Sequence, residues 1–280
     1  MKLCSFLVAG QANVGVVKDD GRVYRIDEYP DMITLIRAFE SHPQNAKSNI
    51  DNAHNGFSED ELTFLAPVLN PQKLIMIGTN YKDHVIETNS PMPNIPVVFS
   101  KYNSALCGND AEVIIPSCAQ KPDYEAEFAV VIGKRGKHIS ASNAMEYVFG
   151  YTIANDVSAR DMQNATSQWL IGKSLDGFLP MGPYLVTKDE IDNPHNLKIR
   201  GSLNGELRQS SNTKELIFDI NVLIAFLSRS MTLEPGDIIS TGTPGGVIAG
   251  MKETHWLEDG DIYEIEIEKL GTLRNVFKIE

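Results

Sequence analysis

Only three cysteines, Cys4, Cys107 and Cys118, occur in the 280 residues. They are too few and too scattered for a disulfide framework, and no CxxC pair marks a zinc or redox site. A reducing, cytoplasmic setting is expected. Long hydrophobic runs are missing too, and nothing approaches the roughly 20 apolar residues of a membrane span. Positive charge is in deficit: the formal net charge is -12 and the pI is near 5.0. Nucleic acid and anionic membranes would repel such a chain, which argues against both as partners. An anionic substrate would need positive charge concentrated locally. Internal repeats and low-complexity tracts are also absent.

What is present is the composition of a folded protein, 42% hydrophobic and 22% charged. The opening MKLCSFLVAGQA imitates a secretion leader. It runs on, however, into VGVVKDDGRVYRID, where apolar and polar residues alternate around an Asp20-Gly21 turn, so a first strand is expected instead. With a helical pattern in MITLIRAFE and the polar DNAHNGFSEDE, residues 1–70 read as a small N-terminal α/β subdomain. From residue 71 to 280 the texture becomes short β-rich runs broken by Gly and Pro. Helical patterns there are few, mainly SASNAMEYV and DINVLIAFLSRSM, and NGE at 204–206 predicts a hairpin turn. The expected class is α+β: a mixed β-roll or β-sandwich with peripheral helices.

Within this region DYEAEFAVVIGK, residues 123–134, poses a problem of charge. On an extended strand Asp123, Glu125 and Glu127 share a face with Ala129 and Val131, so an acidic face runs into a core. Two carboxylates at i and i+2 need a shared proton or a cation. Hard oxygen donors would select Mg²⁺, Mn²⁺ or Ca²⁺, and Asp156, at the end of the strand-like VFGYTIAND, is a third candidate ligand. The same alternation also fits an exposed acidic strand; the apolar AVVIG that follows is what favours a site. In IGTNYKDHVIE, His84 and Glu87 are three apart, which on a helical turn lets the carboxylate orient the imidazole as a general base. A surface pair has the same spacing. Lys173, in the apolar WLIGKSLDG, needs an anionic partner, either a bound anion or the acidic cluster. STGTPGG at 240–246 offers backbone N–H groups to a carboxylate but lacks the lysine of a phosphate-binding loop.

Taken in order, GTNYKDH, DYEAEFAVVIGK, GYTIANDVSARDMQ, GKSLDGFLPMGP, LNGELRQ and EPGDIISTGTPGGV resemble the catalytic domain of the fumarylacetoacetate hydrolase family, from about Leu74 to Phe277. Within it the chain is most similar to the small domain-containing members, which include acylpyruvate hydrolases and oxaloacetate decarboxylases or tautomerases. The resemblance implies a mixed β-roll, usually a homodimer, with Mg²⁺ or Mn²⁺ held by Glu125, Glu127 and Asp156. It implies that His84 and Glu87 form a water-activating dyad on a mobile lid and that Lys173 stabilises an oxyanion or enolate. Arg160, Gln163 and Thr243 fall where relatives line the substrate pocket. Asp83 lies near the position of a further aspartate ligand in the long fumarylacetoacetases, but its neighbours match the three-carboxylate members. The loop reads GGVIAG where many relatives carry another glycine, and residues 1–70 add little to the likeness. The expected function is metal-dependent C–C hydrolysis of a short 2-oxo or 2,4-dioxo acid such as an acylpyruvate. Oxaloacetate decarboxylation or tautomerisation, a hydratase or isomerase of aromatic-degradation intermediates, and a metal-binding scaffold without turnover are the alternatives.

Overall fold

The computed structural model describes all 280 residues. Its frame is a 12-stranded mixed sheet. From one edge inward, His54–Phe57, Val23–Arg25, Gln11–Val17 and Lys2–Val8 lead to Leu179–Thr187. Val148–Asn155, Ala126–Ile132, Ile238–Ser240, Leu74–Gly78 and the edge strand Val97–Ser100 follow. Strand Ile238–Ser240 runs antiparallel to Ala126–Ile132 and parallel to Leu74–Gly78. A second sheet of five strands is built from the hairpin Lys198–Leu203/Glu206–Asn212, Ile262–Ile267, Gly271–Ile279 and Glu112–Ile115. The turn of that hairpin is Asn204-Gly205, where both residues have positive φ, the conformation that Asn-Gly tolerates and a tight hairpin requires.

Strand Ala126–Ile132 is buried along its whole length, and its alternation serves two cores. Ala126, Phe128, Val130 and Ile132 join Ile199, Tyr263, Ile265 and Phe277 in the larger cluster. Ala129 and Val131 join Leu3, Val14, Leu35, Met181 and Ile238 in the smaller one. Residues 1–70 therefore share both a sheet and a core with the remainder, through the Leu3–Leu185 pairing. Helix Met32–Ser41 forms where MITLIRAFE predicts it; Asp31 caps its first turn by accepting from Thr34 N at 2.7 Å. Helix Ile220–Ser228 is capped likewise by Asp219. SASNAMEYV differs from expectation, forming a 3₁₀ segment over Ala141–Tyr147 that buries only Ala144; one apolar anchor is too little for a stable α-helix of that length. No helix is long and apolar enough to cross a membrane.

Candidate active site

Strands Ala126–Ile132 and Val148–Asn155 pair antiparallel with Ala126 opposite Asn155. The register brings the start of one strand to the end of the other, so Glu125, Glu127 and Asp156 converge. The ladder is continued by Asp156 N donating to Glu125 O at 3.0 Å, and the Asn155 side chain accepts from Glu125 N at 3.0 Å. One ligand atom from each carboxylate lies within 4.8 Å of the others, and all three residues are buried.

Three buried cations face this cluster. Lys173 Nζ donates to Glu125 Oε2 at 2.7 Å and to Asp156 Oδ2 at 2.8 Å. Arg160 spreads its guanidinium over Glu125 Oε1 (2.7 Å), Asp123 Oδ2 (2.8 Å) and Gln163 Oε1 (3.0 Å). Lys101 Nζ lies 2.7 Å from Asp156 Oδ1 while directing its hydrogens to the carbonyls of Val157 and Phe178 at 2.8 and 2.5 Å. Burial would raise the Glu125 carboxyl, but Lys173, Arg160 and His84 together hold it well below the usual carboxylate range. Glu127 has no ion-pair partner. Burial, then the charges of Asp156 and Glu125, push it well above that range, against hydrogen bonds from Ser240 Oγ and from Gly242 N at 3.2 Å. Burial also brings Lys101 down to about 8 despite the pull of Asp156.

Asp123 departs from the acidic face expected for it. The chain breaks between the short ladder Pro122–Asp123/Ser158–Ala159 and strand 126–132, so alternation does not carry through. Asp123 turns instead to Arg160 and to the amides of Ile248 and Ala249, at 2.8 and 3.1 Å. Ionised together, the four carboxylates would leave one net negative charge against the three cations, which a divalent ion would convert to one net positive; without an ion, the proton held by Glu127 removes that excess. The donor set fits such an ion. It is all hard oxygen, Glu127 is unpaired, and Asp156 Oδ1 is buried without a directed hydrogen bond. Glu125, Glu127 and Asp156 are the residues that could hold Mg²⁺ or Mn²⁺.

Opposite the cluster, helix Lys82–Glu87 carries the dyad, with His84 Nδ1 3.2 Å from Glu87 Oε1. Gly246 N donates to Glu87 Oε2 at 2.8 Å, fixing the carboxylate from its other side. The helix is tethered where it starts. Buried Asn80 donates to Thr241 O and Phe218 O at 2.8 and 3.0 Å and accepts from Phe218 N at 2.8 Å. Dyad and carboxylates line one cavity of about 360 Å³, together with Lys173, Arg160, Gln163 and Thr243. All nine residues singled out in the sequence therefore face a common space. Thr243 is oriented by Gln209, whose Nε2 donates to its Oγ1 at 2.9 Å. The apolar wall includes Ile77, Phe99, Trp169 and Val247, and Phe99 and Trp169 meet edge to face at 5.3 Å.

Sequence reasoning missed Lys101, Ser240 and this aromatic wall. A lysine ending the apolar IPVVFSK was the available signal for the first; the other two carry none at the level of spacing.

Residues 73–278 match the family model for the fumarylacetoacetate (FAA) hydrolase C-terminal domain. A mitochondrial oxaloacetate tautomerase of Xenopus laevis is 45% identical over 266 residues, covering 92% of this chain and 83% of that protein. Among solved structures, a fumarylacetoacetate hydrolase from Exiguobacterium antarcticum superposes with a TM-score of 0.87 at 38% identity over the whole of both chains. A 5-carboxymethyl-2-hydroxymuconate delta-isomerase from Mycobacterium smegmatis does so with 0.81 at 34%, again over both whole chains. A family match across most of the chain, and full-length likeness to solved members, establish that this protein belongs to the fumarylacetoacetate hydrolase family.

Proposed function

We propose that the protein is a metal-dependent enzyme that interconverts the keto and enol forms of oxaloacetate or a closely similar short 2-oxo dicarboxylate. One observation carries the reading. A proton-handling dyad and a carboxylate cluster suited to a divalent ion face each other across one small cavity. Likeness to an oxaloacetate tautomerase supports the choice of substrate.

Bound Mg²⁺ or Mn²⁺ would supply a Lewis acid that draws electron density from a 2-oxo group. The chain's own residues do the rest. Lys173 and Arg160 give the anionic substrate positive charge in a chain that is otherwise acidic. Lys173, on the same cavity wall, would stabilise negative charge developing on an enolate oxygen. With Nδ1–H donated to Glu87, the second ring nitrogen of His84 is left free to take a proton from C3; returning a proton to the oxygen on C2 completes the enol, and the reverse sequence restores the ketone. No water needs to attack. Ile77, Phe99, Trp169 and Val247 keep bulk solvent from one side of the cavity.

C–C hydrolysis of an acylpyruvate is the second reading, because the same dyad could deprotonate water and a solved hydrolase shares the fold. The test is the ultraviolet decay of oxaloacetate enol with Mg²⁺-loaded protein, run beside acetylpyruvate cleavage and a chelated control. Faster enol decay that disappears with chelation is expected. Acetylpyruvate cleavage without any effect on oxaloacetate would replace the first reading by the second.

A further inference from the structure

The loop GGVIAG, residues 245–250, meets the dyad more closely than any single hydrogen bond conveys. A Cβ built on Gly250 would lie 2.6 Å from Glu87 Cδ and 2.8 Å from both its Cγ and its Oε1. Those three atoms are the nearest neighbours of that position, and all belong to one side chain. Gly250 has no positive φ, so an alanine there would not meet the backbone strain of a left-handed conformation. Gly246 differs, with φ +104° and a Cβ position 2.0 Å from Arg208 O; the fold itself requires glycine there. At Gly250 the nearest obstruction is the Glu87 side chain. The turn cannot simply swing aside, because the amides of Ile248 and Ala249 are bound to buried Asp123.

We propose that Gly250 is a positioning residue: the side chain it lacks is the slot that holds the Glu87 carboxylate against His84 Nδ1. The inference rests on reading His84 and Glu87 as the proton-handling pair. Glu87 is held at 3.2 Å by His84 and at 2.8 Å by Gly246 N. A methyl group at 250 would push the carboxylate off both partners, whereas Glu87 is flexible enough to move without disturbing the core.

Gly250→Ala in the full-length, Mg²⁺-loaded protein provides the test. Its unfolding midpoint and its Mn²⁺ titration should match the parent. The kcat on oxaloacetate should fall about tenfold or more with KM within about twofold, since a mispositioned base costs turnover and not binding. The ¹⁵N ring signals of His84, assigned by their loss in His84→Ala, should move. Against a Glu87→Asp background, whose side chain is one methylene shorter, Gly250→Ala should cost much less; contacting residues couple in this way. Unmoved His84 signals, or equal losses in the two backgrounds, would overturn the slot. The ring signals need no substrate, so the two ideas can fail separately: shifted signals without any change in oxaloacetate turnover would uphold the slot and reject the functional reading.

Discussion

Lys101 and Asp156 form an ion pair sealed from solvent, with Nζ 2.7 Å from Oδ1 and side chains 0% and 1% exposed. A lysine buried to that degree is held in place by its anion, and the reverse holds for the aspartate. Lys101→Met is therefore expected to destabilise the metal-free protein by about 2–3 kcal/mol, less than for an isolated pair because Lys173 also bonds Asp156. Mg²⁺ should recover part of the loss by supplying charge at the same carboxylate. Urea unfolding with and without Mg²⁺ measures both effects, and an unchanged midpoint in chelator would mean that the pair contributes nothing.

Glu127 and Glu125 give the metal-free protein an unusual dependence on pH. In the folded chain Glu127 keeps its proton above the ordinary value of 4.5, while the unfolded chain has already lost it. The folded state then binds more protons, and stability falls as pH rises from there through the raised folded value. Glu125 acts in the opposite sense, since its depressed carboxyl contributes stability that is lost as pH falls below the unfolded value. Chelated protein should thus be more stable at about pH 5 than at about pH 8, and Glu127→Gln should flatten that slope. With Mg²⁺, which binds the ionised carboxylate, the slope should reverse. A chelated profile that rises steadily between those two points would show that Glu127 is ionised throughout.

Replacing Glu125 or Asp156 with Ala should weaken Mn²⁺ binding by more than the roughly 10–100-fold typical of losing an outer partner. Calorimetric titration reads this directly. Affinity retained in either variant would remove that residue from the ligand set.

His84→Ala separates proton transfer from metal binding. Mn²⁺ affinity should stay at the parent value while turnover of oxaloacetate drops ~10²-fold or more. If the loss were confined to acetylpyruvate, His84 would serve an attacking water, and the hydrolytic reading would gain.

The short motifs were legible because each combines a chemical group with a local pattern. Glu125, Glu127 and Asp156 sit at strand ends that hydrophobic alternation could locate, and His84 and Glu87 share one helical turn. Asp123 was misassigned because a break of two residues between ladders leaves no trace in composition. Lys101 and the Phe99–Trp169 wall depend on contacts between segments far apart in sequence, which periodicity does not report. Residues 1–70 read as a small subdomain because their pattern is weak, and the pairing of Lys2–Val8 with Leu179–Thr187 joins them to the main sheet. The cytoplasmic expectation rested on cysteine usage alone, and reducing conditions are not peculiar to that compartment; the Xenopus relative is named as mitochondrial.

The aromatic wall of the cavity comes from the same short segments as two of the cations that brace its charged floor. The floor stands on two adjoining central strands, braced by Lys101, Arg160 and Lys173, where any change disturbs a buried charge balance. Phe99 lies just before Lys101 and has Lys173 Nζ 5.2 Å from its ring centroid, and Trp169 caps the one-turn helix that carries Lys173, so replacing either side chain also touches the cations. Shape and charge are therefore coupled: a change that widens the wall also loosens the lysines that hold Glu125 and Asp156.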